Sequence, residues 1–127
     1  MDELVGAAEI RRRRARLIQL VEELPDATAP GDQHLSLFVR KKRFGYLTED
    51  HHGDGRLALS CRAASGVNRL LVARDPVNYH IPAYVGPKGW AGLWLDLPEL
   101  DWSAVHELVV DAYCLTAPKT LVAQVRG

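Results

Sequence analysis

The spacing of apolar residues changes several times along the chain, and each change predicts a different element. Ile10, Leu17, Val21 and Leu24 recur at helical intervals and fall on one face, so residues 2 to about 24 read as a helix. Asp2, Glu3 and Glu9 lie early, where the helix dipole favours acids, and Pro25 stops the run. Residues 25–33, rich in Pro, Gly, Asp and Thr, read as a loop. From Leu35 to Cys61 the period becomes two: Leu35, Leu37 and Val39, then Phe44 and Tyr46, then Leu57, Leu59 and Cys61. These are three strands of an antiparallel meander, joined by the basic turn Arg40-Lys41-Lys42-Arg43 and by a loop from Glu49 to Gly55.

Val67, Leu70 and Leu71 carry helical spacing within residues 64–74, and Asp75-Pro76 ends that helix because the residue before proline is driven out of the α region. Residues 79–84 are extended, residues 85–89 form a Gly-Pro turn, and residues 90–97 read as a strand. Asp101 is placed to cap the next helix, with Leu100 and Val105 at the spacing of a hydrophobic staple. That helix buries Val105, Leu108, Val109, Ala112 and Leu115, and Pro118 opens a short final one. No internal repeat or low-complexity segment occurs.

A chain of 127 residues, 47% apolar and 25% charged, has the size and balance of one globular domain spanning residues 1–127, not of a disordered segment. No apolar run is long enough to span a bilayer and the first residues lack a secretory pattern, so the expectation is an unexported, cytoplasmic protein with no membrane partner. Cys61 and Cys114 stand far apart and outside any CxxC pair, which reads as buried thiols. Sixteen basic residues balance sixteen acidic ones, so attraction to a polyanion must come from local clusters.

Several segments together resemble the MmcQ/YjbR family. They are Val39-Arg40-Lys41-Lys42-Arg43-Phe44-Gly45-Tyr46-Leu47, then Asp75-Pro76, then Ile81-Pro82-Ala83-Tyr84-Val85-Gly86-Pro87-Lys88-Gly89-Trp90. Asp101-Trp102, Ala112-Tyr113 and Ala117-Pro118-Lys119 follow in order. The match runs over about residues 30–122, and Tyr-Val-Gly-x-x-Gly-Trp is its most specific part. The resemblance implies a two-layer α+β domain, an antiparallel sheet with helices packed on one face, similar to secretion chaperones and frataxin-like folds. Members of the family are described as DNA-binding, which makes DNA an expected partner. Lys41 stands where the family usually has a turn glycine, and the N-terminal arginines lie outside the matched region.

Two clusters suit nucleic-acid phosphates. Arg11, Arg12, Arg13, Arg14 and Arg16 wrap more than half of a helix, and guanidinium forks hold phosphate bidentately; the simpler reading is a solvated face paired with Glu9, Glu22 and Glu23. Arg40, Lys41, Lys42 and Arg43 form a hairpin tip beside Phe44 and Tyr46, either a wing for a nucleic-acid backbone or a sheet edge kept soluble by charge. Tyr84, Gly86, Gly89 and Trp90 bound a turn carrying Lys88 that can present backbone N–H groups to an anion; alternatively Trp90 packs in the core and the glycines supply positive φ. Trp94, Trp102 and Tyr113 read as core or core rim.

His51 and His52 adjoin Asp50 and Asp54, but neighbouring histidines in a loop tend to point apart and no third ligand is placed, so no metal or other cofactor is expected. His34, His80 and His106 are isolated. None of the nucleophile elbow, phosphate-loop, dinucleotide or zinc-protease motifs occurs, and Asp96, Glu99, Asp101, Glu107 and Asp111 are spread as solvation and capping would place them. The expectation is therefore a binding protein and not an enzyme. It would take DNA through phosphate contacts, or else a protein or small molecule through the sheet face or the turn from Tyr84 to Trp90.

Overall fold

The computed structural model describes residues 3–127. Helix α1 (Ala7–Glu22) is followed by strands β1 (Ala27–Thr28), β2 (Leu35–Val39), β3 (Lys42–Glu49) and β4 (Leu57–Cys61). Then come α2 (Val67–Arg74), β5 (Tyr79–His80), β6 (Ala91–Trp94), α3 (Trp102–Thr116) and α4 (Lys119–Arg126). The six strands form one antiparallel sheet in the order β1-β2-β3-β4-β6-β5, and the helices pack against it, giving the expected α+β architecture. Four elements begin or end elsewhere than the periodicity predicts. α1 starts at Ala7 after an extended Gly6, while the expected start at Asp2 lies outside the described residues. β1 lies inside the expected loop, because Ala27 and Thr28 pair with Val39 and Phe38. β5 ends at His80, where Pro82 interrupts pairing, and β6 is only four residues long.

The period-two pattern sorts the sheet into two faces. Leu35, Leu37, Val39, Leu47, Leu57, Leu59, Cys61 and Leu93 turn toward the helices and are buried with Leu17 and Val21 of α1 and Val105, Val109 and Tyr113 of α3. Each such side chain removed from water contributes about 1.5–3 kcal/mol before chain entropy opposes it. Between Leu37 and Phe38 the register slips, so that Phe44 is an extra residue on β3 and drops into the core edge-on to Tyr113, ring centroids 5.8 Å apart. Tyr113 in turn donates its hydroxyl to the Pro25 carbonyl at 2.7 Å, tying α3 to the turn after α1. Burial also pushes the Cys61 thiol far above its ordinary range, which leaves it inert.

The hairpin joining β2 and β3 turns on Arg40 and Lys41, and the positive φ falls on Arg40 (56°) rather than on Lys41. Asp101 caps α3 as expected, accepting from the Ser103 amide at 2.9 Å.

Arg13 is the main correction to the sequence-based expectations. It is 6% exposed, buried on the same stripe as Ile10, Leu17 and Val21, and therefore unable to meet phosphate. Its guanidinium donates to the carbonyls of Leu95 (2.8 Å), Leu97 (2.6 Å) and Pro98 (3.1 Å), and to Glu9 at 2.9 Å. Among the described residues no other side chain donates to these three carbonyls. Arg13→Ala is expected to cost about 3 kcal/mol, because it leaves buried acceptors unpaired, whereas Arg12→Ala should leave the urea midpoint unchanged. Equal midpoints for the two variants would remove the structural role given to Arg13.

Candidate binding site

The face of the sheet turned away from α3 carries a groove of about 710 Å³. Its floor follows directly from strand register. Ser36, Tyr46, Ser60, Gly92 and His80 are successive partners across β2, β3, β4, β6 and β5, so they form one transverse row. Thr48, Ala58 and Trp94 form the next row. The loop between β5 and β6 roofs one side with Pro82, Tyr84 and Val85, and His34, His51 and His52 close one end.

Gly92 makes the floor possible: a Cβ there would lie 2.3 Å from His80 Nε2. The His80 ring thus sits over bare backbone and stacks on Trp94, centroids 3.9 Å apart. From the residue just before β4, the Arg56 guanidinium lies 3.7 Å from the Trp94 ring centroid. Asp96, 1% exposed, holds Arg56 in a fork at 2.9 and 3.0 Å and also accepts from the Leu57 amide at 2.8 Å. Asp96 is therefore a buried positioning group, not the solvated acid its sequence context suggests. Burial, and then the nearby Arg56 charge, hold the His80 imidazole down at about 4, so it is neutral at pH 7. Among the described residues its Nδ1 is buried without a hydrogen-bond partner.

Neither Trp94, expected in the core or at its rim, nor Trp90, expected either at a ligand site or in the core, is buried in the core. Trp94 is half-buried on the groove floor, and Trp90 packs against Tyr46 with centroids 5.8 Å apart. The turn from Tyr84 to Trp90 is not an anion nest, because the amides of Gly86, Lys88, Gly89 and Trp90 all donate to carbonyls within the loop. Asn68 of α2 adds two donors, to the carbonyls of Gly86 (3.2 Å) and Trp90 (3.1 Å). Gly86 and Gly89 are thereby architectural: a Cβ at Gly86 would meet Ile81 Cγ2 at 2.5 Å, and Gly89 has φ 92°. Tyr84 faces solvent, 81% exposed at the groove rim with φ 66°, and Lys88 is exposed as well.

The N-terminal arginines disperse. Arg12 pairs with Glu9, Arg14 with Glu49 at 3.0 Å and with the Asp32 and Gln33 carbonyls, and Arg16 lies 4.3 Å over the Trp102 ring. Arg11 stays exposed. Arg14 reaches the end of β3, whereas Arg40 to Arg43 sit at its start, about 23 Å away for eight residues of strand. The two clusters do not merge. Arg40 pairs with Asp26 at 3.1 Å, while Lys41, Lys42 and Arg43 make no ion pair among the described residues. Because β3 and β6 are both antiparallel to the strand between them, their starts share one end of the sheet, and Lys88 joins Arg43 there. His51 and His52, expected to point apart, lie with centroids 4.0 Å apart because His52 takes φ 54°. Among the described residues no three His, Cys, Asp or Glu side chains are grouped to hold a metal.

No family model matches the sequence, and no curated protein is significantly similar to it. Solved structures that resemble it include the crystal structure of Deinococcus radiodurans protein DR2400, with its DUF419 family-model domain. That protein is 20% identical with a TM-score of 0.64, and the likeness covers 80% of this chain and 76% of that one. The two share a fold.

Two expectations follow for the floor. Gly92→Ala should cost about 2 kcal/mol by forcing the His80 ring off Trp94, and most of that loss should vanish in a His80→Ala background; additive effects in a double-mutant cycle would refute the contact. The unfolded His80 takes up its proton near 6.5 and the folded one near 4. Its contribution to stability is thus complete above pH 6.5 and lost as pH falls toward 4. His80→Phe should accordingly lose less thermal stability than the native chain between pH 7 and pH 4.5, and parallel melting curves would contradict this.

Proposed function

We propose that this chain is a non-enzymatic binding protein of the MmcQ/YjbR type whose open sheet face receives a small polar ligand with one acidic group. The observation that carries the reading is the groove itself, about 710 Å³, inside the range of small-molecule sites. Its floor offers the hydroxyls of Ser36, Tyr46, Thr48 and Ser60, which among the described residues make no hydrogen bonds to one another. Arg43, which lies 5.4 Å from the Tyr46 ring and makes no ion pair among the described residues, is the natural partner for an acid. Tyr84, at the rim in a left-handed conformation that bulky residues avoid, is placed to lie against a bound molecule. Arg43, Tyr46, Pro82, Ala83, Tyr84 and Val85 of the groove fall in segments that carry the family resemblance.

The non-enzymatic reading rests on hydrogen bonding. Among the described residues no groove hydroxyl is bonded to an imidazole or carboxylate, so no nucleophile is paired with a base. A second reading, DNA binding, is favoured by the gathering of Lys41, Lys42, Arg43 and Lys88 at one end of the sheet. It does not need the α1 arginines.

Tryptophan fluorescence separates the two, since Trp94 lines the groove and Trp90 borders it. Glucose 6-phosphate, serving as an acidic polar probe, should quench saturably and glucose more weakly. Arg43→Gln should weaken the phosphate ester about tenfold, roughly 1.4 kcal/mol, while leaving glucose unaffected. Indifference of both probes to Arg43→Gln, or no saturation with any acidic probe, retires the groove reading. For a duplex oligonucleotide, four phosphate contacts predict about a hundredfold loss of affinity between 50 and 200 mM salt, and a flat salt dependence retires the DNA reading.

A further inference from the structure

A second cavity, of about 590 Å³, lies on the helical side between α2, α3 and α4, away from the open face. It exists because α2 leans on β5 and β6 rather than on α3, which leaves facing flanks of both helices uncovered. Val67, Leu70 and Leu71 line one wall and Leu108, Leu115 and Val122 the other. Leu70 and Leu115 are 48% and 43% exposed, well above what a core position shows.

We propose that this groove is a binding site for a single-chain anionic amphiphile of the fatty-acid type. Charge selects that occupant, and a volume of about 590 Å³ lies within the range of small-molecule sites. Three arginines, Arg62, Arg74 and Arg126, stand at the cavity against two acids, Glu107 and Asp111. Arg126 is bonded to Asp111, which neutralises one acid and leaves Arg62 and Arg74 without a carboxylate partner among the described residues. Arg62 is already oriented, donating to Thr116 Oγ1 at 3.2 Å, and its other guanidinium nitrogens make no hydrogen bond among the described residues. The tail would cover the leucines and the head group would meet the two arginines. This site is independent of the open-face groove, and neither reading rests on the other.

The test is titration of the whole chain with monomeric decanoate below its micelle concentration, followed by amide chemical shifts and calorimetry. One saturable site is expected, with shifts confined to residues 62–79 and 104–126. Arg74→Glu should weaken decanoate at least tenfold while changing decanol binding less than twofold, and Leu115→Gln should weaken both. Arg74 and Leu115 are exposed, so both variants should keep the native melting temperature; if Leu115→Gln does not fold, the Arg74→Glu contrast decides. Absence of saturation, shifts centred on the open face, or equal decanoate affinity in Arg74→Glu would overturn the proposal. So would binding confined to anionic vesicles or to an amphipathic peptide.

Discussion

The segment from Leu95 to Pro98 is the junction on which the molecule depends, and the buried guanidinium of Arg13 is what makes it tolerable. The chain there leaves β6 with carbonyls that the ladder no longer serves, and Leu95, Asp96 and Leu97 are buried. Arg13 takes three of them, the Val5 amide donates to Asp96, and Leu95 donates to Leu57. A positive charge is tolerable at that depth only because acceptors surround it, and Glu9 completes the set. The same Arg13 and Arg12 hold the Glu9 carboxyl below its usual range.

That junction also sets the chemistry of the open face. Asp96 lies within it, and its carboxylate faces the other side of the sheet, where it fixes Arg56 over Trp94. α1, the end of β6 and the floor of the groove are thus connected through four residues of backbone. The helical groove is built differently, where α2 packs on β5 and β6 rather than on α3. It has fewer constraints, and opening motions would be easier there than in the sheet.

The sheet was legible because burial of one face imposes a period of two. A one-residue slip would turn every Leu of β2 or β4 out of the core, so register is strongly specified where the pattern is strong. β1 escaped detection, and β5 was read as longer than it is, for the opposite reason: two residues have no period, and their pairing is decided by the neighbouring strands. The tip from Arg40 to Arg43 was recognisable as charge, as was the Asp101 cap. Arg13 could have been told apart from its neighbours, since it falls three residues after Ile10 and four before Leu17, on the apolar stripe itself. Density of charge masked that spacing. Arg56 and Asp96 offered no such signal, being forty residues apart and opposite each other only once β4 and β6 pair.

From the amino-acid order alone came the α+β class, the meander, the main helices and the position of one cap, all of which rest on contacts or periodicities within about ten residues. Tertiary structure alone decided which arginines are ligands for the protein's own carbonyls and which remain open to solvent. It also decided that Trp90 and Trp94 face away from the helices, and that Ser36, Tyr46, Ser60 and His80 stand in one row. Those facts depend on pairings between strands distant in sequence, where the energy of a contact is fixed by geometry across the sheet and leaves no periodic trace along the chain.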